Sequence, residues 1–111
     1  NLIPLDSGRH GAMPVMFDRR ELMAILNLYS RMVAAGEWKD YAIDSLKDCA
    51  VFSVFRRASE TPLFRIEKTP RLARKQGAFS VVNANGFILK RGYELGPVLK
   101  VFDKGLKLVE G

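Results

Sequence analysis

Nine Lys and Arg residues crowd the middle of this 111-residue chain, where positions 56 to 91 hold only two acids, Glu60 and Glu67. Cationic side chains without acidic neighbours attract polyanions, and neutralising phosphate charge is the usual source of nonspecific nucleic-acid affinity. We expect folding to gather these groups on one water-facing side of the molecule. The candidate phosphate contacts are Arg56, Arg57, Arg65, Arg71, Arg74, Lys75, Lys90 and Arg91.

Phenylalanines are interleaved with these charges, as in proteins that stack bases on aromatic side chains. The same alternation along a strand is typical of core packing, so both interpretations are kept. The residues concerned are Phe52, Phe55, Phe64, Phe79 and Phe87. The segment contains no RNA-recognition strand motif, zinc finger or Gly-x-x-Gly clamp loop.

Groups that could carry catalysis are scarce. His10 lies in a polar leader with no scaffold to hold it, and Cys49 borders an apolar run that favours an inert thiol. The densest carboxylates lack the glycine and the closing glutamate of a calcium loop. We expect them to be solvated, or else to pair with the basic segment and cancel its charge. They are Glu37, Asp40, Asp44 and Asp48. The sequence therefore predicts no enzyme activity, no catalytic residue, no metal site and no cofactor.

The clearest structural element is a helix over about 18–35. Asp18 and Glu21 have the spacing of a capping box, and Gly36 suits the position after the last turn. Apolar residues recur at three- and four-residue steps and predict one buried stripe. The stripe consists of Leu22, Ile25, Leu26, Tyr29, Met32 and Val33.

Short apolar runs separated by turn residues predict four or five strands over about 50–91. The runs are 51–56, 63–68, 79–82 and 87–90, and residues 38–46 form either a strand or an irregular bridge. Short links favour antiparallel pairing, and Asn85-Gly86 is a strong hairpin signal. A second helix follows over about 95–104, with Pro97 in its first turn and Gly105 closing it. Residues 106–109 could add a last strand. This order predicts an α+β two-layer domain.

Three apolar residues support an alternative role in binding a protein partner. Trp38 lies just past the first helix, where an indole either plugs the core or anchors a partner. Met23 is off the apolar stripe and Leu28 is at its flank, so both could form part of a second contact surface. The sequence thus leaves two roles open: a non-catalytic nucleic-acid-binding module, or an interaction subunit of a larger complex.

Composition and length indicate the class of protein and the number of domains. The net charge of +6 accompanies 48% apolar residues, which indicates one folded domain, here residues 15–111 after a flexible leader over 1–14. A single cysteine excludes a disulfide scaffold. No apolar run could span a membrane and no export signal is visible, so we expect a cytoplasmic protein with no membrane partner.

Seven runs stand out in the sequence: residues 17–22, 36–38, 40–44, 50–57, 65–68, 72–77 and 88–92. They resemble a family of small alphaproteobacterial proteins that is known only as a domain of unknown function. The resemblance implies a bacterial, cytoplasmic protein and transfers no activity, cofactor or site residue. Cys49 and Pro97 depart from the family pattern.

Overall fold

A computed structural model describes residues 13–57 and 61–103 of the chain. The elements are helix α1 (Arg19–Ala34), strands β1 (Asp40–Ser45), β2 (Ala50–Phe55), β3 (Phe64–Lys68), β4 (Phe79–Asn83) and β5 (Ile88–Gly92), and the short helix α2 (Leu95–Leu99). A single 3₁₀ turn, Pro70–Leu72, lies between β3 and β4. The predicted α+β order is confirmed. Three predictions lie outside the described residues: a leader over most of 1–14, the closing position of Gly105 and a strand at 106–109. The second helix, predicted over about 95–104, ends at Leu99.

Helix α1 begins and ends as its sequence predicts. The Asp18 carboxylate accepts the backbone N–H of Glu21, and Glu21 Oε1 accepts the backbone N–H of Asp18, both at 2.8 Å. This reciprocal capping box satisfies two N–H groups that the helix itself leaves unpaired. At the other end Gly36 adopts a φ of +78°, which lets the chain turn away from the helix toward β1.

The five strands form one antiparallel sheet in the order β1-β2-β3-β4-β5. Each strand pairs with its neighbour in the chain, so every connection is local. The segment from 38 to 46, which the sequence left between strand and bridge, contains β1 at one edge of the sheet. Asn83 closes the last hairpin, because its side-chain oxygen accepts the N–H groups of Asn85 and Phe87 at 3.0 Å each.

Both helices pack on the same face of this sheet. Phe52 and Ile66 face each other across β2 and β3, and both are fully buried beneath Ile25 of α1 and Val98 of α2. None of the helices in the described ranges has the length and hydropathy needed to cross a membrane.

The buried stripe of α1 is rotated from the predicted one. Leu28, expected at the flank, is 3% exposed, whereas Val33, expected inside the stripe, is 41% exposed. The reason is that α2 packs beside α1 and covers the Leu28 side, so that Leu28 and Leu99 line the same interhelical groove. Periodicity within one helix cannot reveal which flank a second helix covers.

Candidate nucleic-acid interface

A compact turn between β3 and β4 presents three of the predicted cations. We call residues 70–77 the basic turn. The Leu72 carbonyl accepts the backbone N–H groups of Lys75, Gln76 and Gly77 at 3.0, 3.0 and 2.9 Å, which closes the turn on itself. Arg71, Arg74 and Lys75 are all exposed on its surface. The basic turn therefore projects three positive charges within five residues from a hydrogen-bonded backbone.

The end of β5 braces this turn. Gly77 has a φ of +100°, and a Cβ atom placed there would overlap the carbonyl carbon and oxygen of Gly92. Arg91 Nη1 donates a 3.4 Å hydrogen bond to the Gly77 carbonyl, and the Tyr93 hydroxyl donates to the Lys75 carbonyl at 3.2 Å. Backbone contact and two side-chain bonds thus hold the turn against the sheet.

The charge of the basic turn is not cancelled within the described ranges. Arg71, Arg74 and Lys75 form no ion pair with any carboxylate in residues 13–57 and 61–103. Acidic groups lie on one side of the turn, and their charges act on the nearby thiol of Cys49. Burial raises the pKa of the Cys49 thiol, Glu67 and Asp48 raise this pKa further, and Arg71 lowers it. The turn is therefore a cationic projection beside a small acidic border.

The eight predicted phosphate contacts do not share one face, so the expectation of a single basic side is corrected. Arg56 and Arg57 follow β2 at the opposite end of the sheet from the basic turn, so that the whole of β3, about 13 Å long, lies between them. Arg56 Nη2 lies 3.7 Å from a Glu37 carboxylate oxygen. Arg57 is exposed and engaged with other groups. A hairpin that joins two strands places the residues after each strand at opposite ends.

Strand alternation divides the remaining cations. Arg65 and Arg91 lie on the sheet face opposite the helices, and Arg65 Nε donates to Glu67 Oε2 at 3.0 Å. Lys90 pairs with Val81 on the helix-covered side and is exposed at the sheet edge. Arg91 is the cation from this group that joins the basic turn, through its bond to the Gly77 carbonyl.

Lys68, the ninth basic residue of the segment, has a structural role. Its Nζ donates to Glu21 Oε1 at 2.7 Å and to the Met16 carbonyl at 2.9 Å. Both charged side chains are more than four-fifths buried. Lys68 therefore ties β3 to the capped start of α1, and its charge is neutralised there.

The residues proposed for a protein partner are placed differently from one another. Trp38 is 1% exposed and packs edge-to-face on Phe102 with ring centroids 5.1 Å apart, so the core interpretation of this residue is confirmed. Leu28 is also buried, and the idea that it is exposed is wrong because α2 covers that flank of α1. Met23 is 55% exposed on α1, as its angular position predicts.

The five phenylalanines that could stack bases differ in how far they are buried. Phe52 and Phe79 are buried, Phe55 and Phe64 are half-buried, and Phe87 is 67% exposed in the last hairpin. Phe87 lies at the end of the sheet opposite the basic turn. Phe79 begins β4 just after the basic turn but is buried, so none of the predicted aromatic residues presents an exposed ring beside the braced cations.

Tyr93 is an aromatic residue that no sequence pattern singled out. It follows β5 directly, is 62% exposed, and touches the basic turn through its hydroxyl. The predicted strand order was enough to place Tyr93 near the basic turn. In an antiparallel meander the β3–β4 connection and the residues after β5 meet at the same end of the sheet.

The structure is a small α+β domain in which a braced, cationic turn and an exposed tyrosine lie at one end of a five-stranded sheet. The chain belongs to the family described as "Protein of unknown function (DUF2794)", whose model matches residues 15–99. That range includes α1, all five strands, the basic turn and Tyr93. No curated protein and no solved structure matches the chain significantly.

Proposed function

We propose that this protein is a non-catalytic module that binds nucleic acid by phosphate contact through the basic turn. The observation that carries the proposal is the charge of that turn. Arg71, Arg74 and Lys75 are exposed, held on a hydrogen-bonded backbone, and not ion-paired within residues 13–57 and 61–103. Arg91 braces the turn and adds a fourth positive charge beside it. The proposal places the protein in the bacterial cytoplasm, where DNA and RNA are both present.

Phosphate contacts of this kind give affinity with little sequence preference. Each neutralised phosphate releases counterions, so the logarithm of the binding constant falls linearly with the logarithm of salt concentration. Four cations predict a slope of about −3 on single strands, or nearly −4 on duplex DNA. Binding should therefore be measurable at low salt and weak near physiological ionic strength.

Fluorescence anisotropy with labelled DNA and RNA at about 50 and about 200 mM salt tests the proposal. We expect binding at low salt that falls at least tenfold at the higher concentration. Replacing Arg71, Arg74 and Lys75 together by alanine should remove most of that binding. No binding at low salt, or binding that salt does not affect, would exclude the proposal.

A charge-matched control separates the basic turn from net charge. Arg31, Lys39 and Lys100 are exposed near the end of α1 that lies away from the turn, so their triple alanine variant loses the same three charges. This control should keep at least a third of the affinity. Emission from Trp38, the single tryptophan, shows that each variant is folded, because its indole is buried in the core.

A protein-interaction role is the second candidate function, and edge strand β5 favours it. Phe87, Ile88 and Leu89 are all exposed at the edge of the described sheet. An exposed edge of this kind can accept an added strand from another chain. The test is capture of partners from the host with and without nuclease. A complex that survives nuclease and is lost in an Ile88→Lys variant would favour this role.

A further inference from the structure

Tyr93 presents an aromatic face that is fixed beside the cations of the basic turn. Its hydroxyl is held by the Lys75 carbonyl at 3.2 Å, and 62% of the residue remains exposed. Tyr93 directly follows Gly92, whose backbone packs against Gly77. The side chain is thus held at both ends, by its backbone and by its hydroxyl, while much of its surface faces solvent.

The hydroxyl of Tyr93 has a structural role in bracing the turn, whereas its ring has no aromatic partner among the described residues. No ring of the described residues stacks on Tyr93, whereas Tyr29, Tyr41 and the buried Phe52 all contact other rings. Because the hydroxyl bond already fixes the side chain, a planar ligand could bind the ring without ordering it first. Preorganisation of this kind lowers the entropic cost of binding.

The neighbours of the ring select the kind of planar ligand. Lys75 and Arg74 come from the turn that Tyr93 touches, and Arg91 is two residues away on β5. A π face beside several cations fits a nucleobase with its phosphates. Stacking requires the base to be out of a duplex, so this arrangement favours a single strand.

The shape of the site agrees with this choice. Duplex reading in the major groove needs a helix or a two-stranded ribbon that enters the groove. The cations here lie on a short turn at the end of the sheet, and α2, which follows Tyr93, has five residues. A turn carrying one aromatic side chain instead matches the way proteins hold single strands without sequence preference.

We propose that the protein binds single-stranded nucleic acid, with Tyr93 stacking on one base while Arg74, Lys75 and Arg91 hold the adjacent phosphates. This inference rests on the proposed function and narrows it to single strands. Stacking gives the site a component of affinity that salt does not remove, because that component comes from contact between rings. RNA and DNA share the necessary chemistry, and both are included in the test.

The test compares three labelled probes by fluorescence anisotropy at low salt: a single-stranded oligonucleotide as DNA or RNA, a duplex of the same length, and an abasic strand with the same phosphates. Tyr93→Leu should weaken binding to the single strand about tenfold or more. Binding to the duplex and the abasic strand should change less than twofold. Tyr93→Phe, which keeps the ring without the hydroxyl, should bind within about threefold of the original protein. Phe87→Leu is the matched control at the far end of the sheet and should bind normally.

The outcomes separate this inference from the proposed function. If Tyr93→Leu binds the single strand normally, or loses affinity for all three probes equally, stacking is excluded and phosphate binding stands. If the unaltered protein binds none of the probes, both are excluded. A selective loss on the base-bearing single strand, for RNA or for DNA, supports the inference and identifies the polymer.

Discussion

Gly77 and Gly92 lie backbone to backbone, so closely that a side chain on Gly77 would occupy the space of the Gly92 carbonyl. The two glycines are far apart in the sequence, and their contact joins the basic turn to the end of β5. The positions of Arg91 and Tyr93 depend on this contact, because their hydrogen bonds reach the same stretch of backbone. The candidate site is therefore an extension of the sheet rather than a free loop.

Gly77→Ala should destabilise the fold by about 2 kcal/mol or more, because a Cβ at Gly77 combines a left-handed φ with backbone overlap. Urea unfolding followed by Trp38 emission measures the effect. Gly86→Ala is the matched control, since Gly86 has a similar φ of +89° and open space around it. Its cost should be about 1 kcal/mol, the backbone strain alone. Equal costs for the two variants would show that the contact with Gly92 is not tight.

The ion pair of Lys68 and Glu21 should stabilise the attachment of α1 to the sheet. A double-mutant cycle with Lys68→Met and Glu21→Gln should give a coupling energy of about 1 to 2 kcal/mol, because both side chains are largely buried and hydrogen-bonded. The free energy of unfolding of the four proteins supplies the cycle. A coupling energy near zero would mean that water replaces the ion pair without any loss of stability.

Leu28→Ala should cost about 2 to 4 kcal/mol of stability, since Leu28 is 3% exposed between α1 and α2. Val33→Ala should cost less than about 1 kcal/mol, because Val33 is largely solvated. Thermal or urea unfolding of the pair measures the difference. If Val33→Ala cost more stability than Leu28→Ala, the buried stripe of α1 would instead be the one that the sequence pattern predicts.

The thiol of Cys49 should react slowly at neutral pH. Burial together with Glu67 and Asp48 raises its pKa above the ordinary value, so the reactive thiolate is scarce at neutral pH. The rate of alkylation against pH reports this titration. Arg71→Ala should move the midpoint to higher pH, and Asp48→Asn should move it to lower pH. A midpoint that does not respond to Arg71 would place that guanidinium farther from Cys49 than the structure does.

Local patterns in the sequence were sufficient for most of the fold. The capping box of Asp18 and Glu21 and the Asn83–Gly86 hairpin depend on residues close together in the chain, and both are confirmed. Edge strand β1 stayed ambiguous because all six of its residues are exposed, which weakens the alternation that marks a strand.

The candidate site was only partly predictable, because it depends on contacts between distant residues. Charge counting identified the cations of the basic turn but could not show that Lys68 pairs with Glu21, 47 positions away. Charge counting also could not show that Arg56 and Arg71 lie at opposite ends of the sheet, because the end that each occupies follows from the strand order. Tyr93 carried no motif, and its place beside Lys75 becomes visible only when β5 is paired.

Phosphate contact by the basic turn should be visible in the salt dependence of binding. The slope of log binding constant against log salt is measured on a single-stranded oligonucleotide for the unaltered protein and for the variant with Arg71, Arg74 and Lys75 replaced by alanine. We expect this slope to become shallower by about 2, because each phosphate that is no longer neutralised accounts for about 0.7. An unchanged slope, or one that changes equally in the Arg31, Lys39 and Lys100 control, would contradict it.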